Sequence, residues 1–209
     1  MADYCSNFIV FRSSEKDSLQ QFLDTLNSLF AESKTKYTDL LLKYDINYSE
    51  PLDDNTLYSD DCFFYCKGYF DYCDNDISYN ENCKEYYFYA YSYTAWKPQT
   101  EVLDLLLKKI PGEIMYYIAS EEPGDNLFIN TDEERQYINY NYYVDFNYRM
   151  ISFTESFERL DSCYKLLFDE IGWKYTNLKK AKKRFRKFLK KEKNGKYELH
   201  FVLRKYTCE

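Results

Sequence analysis

Apolar residues recur along this 209-residue chain in two rhythms, period two and period three-to-four, and the changes between them mark the elements. Asn7 to Phe11 is a short strand. Ser14 offers an N-cap, and Leu19, Phe22, Leu23, Leu26, Leu29 and Phe30 then fall at helical spacing. Between Lys34 and Asp61 the rhythm weakens: "LLLKY" suits a helical turn or a strand, and "SEPLDDNTLYSDD" an acidic loop. Cys62 to Tyr72 is aromatic enough for a strand, "CDNDISYNEN" is a connector, and Tyr86 to Trp96 alternates as a strand able to close a hairpin with it. Pro98 fits the first turn of a helix whose apolar stripe is Val102, Leu103, Leu106, Leu107 and Ile110, ended by Pro111-Gly112. Glu113 to Ser120 is a strand, "EEPG" a turn, and "NLFIN" and "YINYNYYVDFNY" are further strands.

The last third changes character. Ser152 and Glu155 form a capping-box pattern, and Phe157, Leu160, Tyr164, Leu167, Phe168 and Ile171 line one helical face that Gly172 stops. A second helix spans Leu178 to Lys193, and after Asn194-Gly195 the residues Tyr197, Leu199, Phe201 and Leu203 alternate as in a half-buried strand. The order strand, helix, strand, strand, helix, strand from Asn7 to Ser120 predicts an α+β fold: a ferredoxin-like split βαβ antiparallel sheet with helices on one face. Extra strands and a C-terminal helix-helix-strand segment extend it, which divides the chain into a domain over 1–148 and a basic extension over 149–209 packed on it.

Three short stretches carry a resemblance. "MADYCSNFIVF" at the start, "YSYTAWKPQ" before a helix, and "SEEPG" at the end of a strand resemble the YubB ferredoxin-like family of plasmid and phage proteins. Gln99 stands where that family commonly has a second proline. The resemblance covers roughly the first two thirds and implies the fold and a mobile-element origin; it brings no activity with it.

Composition narrows the chemistry. Tyr (25) and Phe (16) take the place of the usual Val and Ala, so a chain of mean hydropathy -0.68 still has 45% apolar residues and can bury a core. No apolar run reaches membrane-span length and the N-terminus lacks the basic and apolar regions of a signal peptide, so the expected setting is the cytoplasm of the host cell, with reduced cysteines and no membrane contact. The net charge of -7 is unevenly spread: Asp45 to Phe146 has 21 acidic against 6 basic residues, and Ile171 to Glu209 has 14 basic against 3 acidic.

Catalytic motifs are sparse. The five glycines are isolated, so neither a dinucleotide fingerprint nor a P-loop can be written. His200 is the one histidine and fits a surface imidazole better than half of a Cys–His dyad, while Glu121-Glu122 could support acid-base work. Cys62, Cys66, Cys73 and Cys83 are separated by three, six and nine residues, no common zinc pattern. Cys62 and Cys66 on one strand face would stand about 13 Å apart. Asp74, Asp76, Ser78, Asn80, Asn82 and Glu85 match the ligand positions of a calcium loop, but Tyr79 replaces the required glycine, and a solvated hairpin loop fits better. No metal or cofactor is expected.

The expected function is therefore a non-enzymatic binding protein, an inhibitor of a host defence protein with a basic site. Asp53, Asp54, Asp60 and Asp61 with Tyr87, Tyr89, Tyr91 and Tyr93 are its candidate contacts. The tyrosines alternate with Phe88, Ala90, Ser92 and Thr94, whose small size suits a helix-covered face, so the tyrosines take the other face. There they lie beneath later strands or C-terminal helices, meet a protein, or stack bases. The alternative function is weak nucleic-acid binding through the basic helix, with Lys179, Lys183, Arg186, Lys187 and Lys190 on phosphates.

Overall fold

The structure, a computed structural model, describes residues 4–30, 34–46, 56–59, 62–122, 127–192 and 197–208, with 56–59 and 62–65 as backbone only. Its α+β fold resolves into two compact units, Met1–Leu127 and Phe128–Glu209. The sequence-based boundary at 148/149 falls inside a hairpin of the second unit.

In the first unit the elements run β1 (Tyr4–Ser13), α1 (Lys16–Phe30), β2 (Thr35–Lys36), α2 (Tyr37–Lys43), β3 (Thr56–Ser59), β4 (Cys62–Tyr65), β5 (Gly68–Cys73), β6 (Ser78–Asn80), β7 (Glu85–Ala95), α3 (Thr100–Leu107) and β8 (Met115–Glu122). The sheet order is β2-β5-β7-β1-β8, antiparallel at every pairing, with β6 following β5 along the same edge of β7; β3 and β4 form a separate hairpin. Period two divides β1 and β7 cleanly. Ile9, Phe11, Phe88 and Ala90 are fully buried against Leu19, Phe22 and Leu26 of α1 and Leu103 and Leu106 of α3. Each such Phe or Leu contributes about 1.5–3 kcal/mol by leaving water.

Several predicted details differ. Ser14 is not the cap of α1; the Ser13 hydroxyl accepts the Glu15 N–H at 3.0 Å, and the Ser18 hydroxyl donates to Glu15 Oε2 at 3.0 Å. "LLLKY" is helical, because Leu40 and Leu41 join Tyr37 in the core at helical spacing. Thr56–Ser59, expected in a loop, pairs with Cys62–Tyr65 as a hairpin, and the strand expected over Cys62 to Tyr72 is broken at Cys66-Lys67. Pro98 precedes α3, for which Gln99 is the N-cap.

The second unit contains β9 (Leu127–Asn130), β10 (Tyr142–Tyr148), β11 (Ile151–Phe157), α4 (Leu160–Glu170), α5 (Leu178–Glu192) and β12 (Leu199–Lys205). Its three-stranded sheet has the order β11-β10-β12. Val144, Phe146 and Tyr148 pack with Leu167, Phe168, Ala181 and Phe185 of the two helices. The predicted capping box is overturned: Ser152 and Glu155 lie in β11, not at a helix start, and α4 begins at Leu160. The reason is the two-residue turn Arg149-Met150, which folds Ile151, Phe153 and Phe157 back on β10 in period two, with Ser152 opposite Asn147.

Candidate functional site

The three stretches of the resemblance meet at one end of the first sheet. Because β1 runs antiparallel to both β7 and β8, its start lies beside their ends: Cys5 opposite Thr94, and Asn7 opposite Ser92 on one side and Ser120 on the other. All five side chains lie on the helix-covered face and are fully buried. Asn7 Nδ2 donates to Thr94 Oγ1 at 2.9 Å and to Ser92 Oγ at 3.3 Å, while Asn7 Oδ1 accepts the Ser120 hydroxyl at 2.8 Å. Thr94 Oγ1 donates onward to the Lys97 carbonyl at 2.7 Å, and the Tyr37 hydroxyl lies 3.0 Å from Ser92 Oγ. Burial pushes the Cys5 thiol up to about 12, away from nucleophilic use at neutral pH. The network ties three strands and α2 together, and its atoms are closed to solvent.

The opposite face carries the tyrosines. Tyr87, Tyr89, Tyr91 and Tyr93 share it with Phe8, whose ring centroid lies 5.1 Å from that of Tyr89 and 4.8 Å from that of Tyr91. Tyr69 lies against Tyr93 at 5.7 Å, Tyr72 against Tyr91 at 6.1 Å, and Tyr87 against Tyr89 at 5.3 Å. A register shift between Phe70 and Tyr72 makes this possible: skipping Asp71 turns Tyr72 onto the same face as Tyr69. Tyr4 (53%), Tyr72 (49%) and Tyr91 (40%) are exposed, whereas Tyr87, Tyr89 and Tyr93 are half-buried. Burial, with Tyr87 beside it, raises the Tyr89 hydroxyl to about 12. Alternation alone located the four tyrosines of β7; Phe8, Tyr69 and Tyr72 needed the strand order and the bulge. Asp53, Asp54, Asp60 and Asp61 lie outside the described residues.

The other sequence candidates are dispersed. Glu121 and Glu122 lie in β8, not in a turn, and successive strand positions point to opposite faces, so they do not form a pair; Glu122 is buried on the helix side. His200 is exposed, with its Nε2 2.9 Å from Asp145 Oδ2. Burial pushes the Cys66, Cys73 and Cys163 thiols up to about 12. Asp74, the first position of the calcium-loop pattern, uses both carboxylate oxygens internally: Oδ1 accepts the Tyr72 hydroxyl at 2.9 Å and Oδ2 the Tyr89 N–H at 2.7 Å. Ser78–Asn80 beside β7 makes the rest of that segment a hairpin.

On α5, Ala181 and Phe185 point into the core and the cations form two rows. Lys179, Lys183, Arg186 and Lys190 line one flank, and Lys180, Arg184, Lys187 and Lys191 the other, all exposed. The nucleic-acid set expected from sequence draws on both rows, so Lys187 stands apart from its four companions. Among the described residues no helix is long and apolar enough to cross a membrane, and no group of three or more His, Cys, Asp or Glu is placed to hold a metal ion. No family model, curated protein or solved structure matches the chain.

Proposed function

We propose that the chain is a non-enzymatic protein-binding module whose contact surface is the tyrosine face of the first unit. The observation that carries this reading is the aromatic layer continuous across β5, β7 and β1, with Tyr4, Tyr72 and Tyr91 exposed at its surface. Tyrosine gives large contact area at low entropic cost and a hydroxyl to place in a rim. The unit has 23 acidic against 10 basic residues, a net of -13, so the favoured partner is a protein with a basic site. The separation of Glu121 from Glu122, and the buried, raised thiols, favour binding over catalysis.

The ferredoxin-like assignment belongs to the same proposal: the order β5-β7-β1-β8, with α1 following β1 and α3 joining β7 to β8, supports a split βαβ pair. The likeness of the three stretches to plasmid and phage proteins supports a mobile-element origin, action in the host cytoplasm and a host defence protein as target. Affinity capture from host lysate, read by mass spectrometry, tests it with three baits. Wild type is expected to retain one basic protein that Tyr72→Ala/Tyr91→Ala loses and that Asp53→Lys/Asp54→Lys/Asp60→Lys/Asp61→Lys binds weakly. Equal retention by the tyrosine variant refutes the proposal.

A further inference from the structure

The second unit has 12 acidic against 18 basic residues, a net of +6, and four of its cations line one cavity of about 390 Å³. Arg149 enters it from the β10–β11 turn, and Arg184, Lys187 and Lys191 from one flank of α5. Among the described residues none of the four forms an ion pair. The carboxylate at the cavity, Glu192, accepts the Tyr148 hydroxyl at 2.9 Å.

Both guanidiniums lie over aromatic rings. The Arg184 guanidinium carbon is 4.1 Å from the Trp173 ring centroid, and that of Arg149 is 4.8 Å from Tyr148 and 4.6 Å from Tyr197. A ring contact holds a guanidinium in place, and a guanidinium so held can grip a phosphate through two parallel N–H bonds. Arg149 holds its place from a strained backbone, φ 59, at a turn position that favours glycine. The cavity floor is apolar, formed by Ile171, Trp173 and Phe188. Phosphate alone would leave that floor empty; a planar ring attached to a phosphate would fill it.

We propose that this cleft binds a nucleotide, its phosphate between Arg149 and Arg184 and its base against the apolar floor, either as a free nucleotide or as one unit of a single strand. The site rests on the second unit alone, so it stands or falls separately from the tyrosine face. It also separates the two rows of α5: Arg184, Lys187 and Lys191 contact the ligand, and Lys179 and Lys183 do not.

The full chain carrying Trp96→Phe leaves Trp173 as its one tryptophan, and its fluorescence reports the cleft. Titration with a fluorescein-labelled single-stranded oligonucleotide is expected to quench it, with an affinity falling against salt at a slope of roughly -3 for four phosphate-neutralising cations. Arg149→Ala and Arg184→Ala should each weaken binding by roughly tenfold to a hundredfold, the loss expected for a charge-assisted contact. Arg184→Lys should not restore it, because charge is kept but the fork is lost. Lys179→Gln/Lys183→Gln should change affinity by much less. Displacement of the strand by AMP assigns the site to a free nucleotide, and failure of AMP to compete assigns it to a strand; both support the proposal. Arg149 and Arg184 are exposed, so the variants are expected to keep the wild-type thermal midpoint. Unchanged affinity in both arginine variants overturns it. So does equal quenching by inorganic phosphate, or binding to phosphatidylserine vesicles without binding to the strand.

Discussion

Asn7→Ala tests whether the buried polar end of the first sheet holds that unit together. Asn7 is fully buried, and the change removes two short hydrogen bonds, to Thr94 at 2.9 Å and from Ser120 at 2.8 Å, each contributing about 1 kcal/mol. The longer contacts, to the Cys5 carbonyl at 3.3 Å and to Ser92 Oγ at 3.3 Å, together add about one further bond. Thr94 keeps the Lys97 carbonyl and Ser92 keeps Tyr37, but the Ser120 hydroxyl loses the acceptor it has here, at a cost of about 1–3 kcal/mol. The expected total is roughly 4–6 kcal/mol, near the lower end of the ~5–15 kcal/mol of a typical domain. Urea unfolding followed by Trp96 fluorescence in a Trp173→Phe background reads the first unit alone, since each unit has one tryptophan. Adding Ser120→Ala should cost about 1–2 kcal/mol less than the sum of the single changes, because the orphaned hydroxyl goes with it. A loss under about 1 kcal/mol for Asn7→Ala, or additivity within about 0.5 kcal/mol, refutes the reasoning.

Two glycines with positive φ should respond to different degrees. At Gly112 (φ 90) an added Cβ meets Ser18 Cβ and Glu15 Oε2 at 2.7 Å, so Gly112→Ala should cost roughly 3 kcal/mol or more, whereas Gly172→Ala (φ 72, nothing within 4 Å) should cost roughly 1 kcal/mol, both read from urea midpoints. Stability should fall in alkali. Cys5, Cys66 and Cys73 titrate near 12 in the folded chain against an ordinary 9.0, so the unfolded chain loses these protons first and the folded state is progressively disfavoured from pH 9 towards 12. A urea midpoint that falls less steeply between pH 8.5 and 11 in a Cys5→Ala/Cys66→Ala/Cys73→Ala variant than in wild type, the residual fall belonging to groups such as Tyr89 and Cys163, is the expected pair of curves. Thiol labelling at neutral pH should modify exposed Cys208 well before buried Cys5, Cys73 or Cys163, as mass spectrometry of digested protein will show.

The α+β class was legible because strongly periodic stretches decide their own conformation. The alternation in β7 and the stripes of α1 and α3 are each satisfied by one face of one element. Residues 151–157 misled because two local rules competed there. Ser152 and Glu155 fit a helix start, yet Ile151, Phe153 and Phe157 fit period two, and pairing with β10 across a two-residue turn prevailed. Candidate sites were legible only within single elements. The tyrosine row could be read along β7, but the re-aiming of Tyr72 depends on a bulge. The cleft joins a turn residue, a residue after α4 and one flank of α5, a juxtaposition no local pattern encodes. A helical wheel of α5 would have separated its two cationic rows and placed Lys187 with Arg184.

The meeting of the three family-like stretches around Asn7 bears on what such stretches mean when a chain is compared with distant ones. A polar cluster sealed inside a sheet cannot drift one residue at a time: a change at Ser92, Thr94 or Ser120 strands a partner on another strand, so the members must be replaced together or kept. Residues bound in this way outlast the surface around them. Short identities found there would trace common descent of the scaffold, whereas the exposed tyrosines lie outside that network and can change without stranding a member of it.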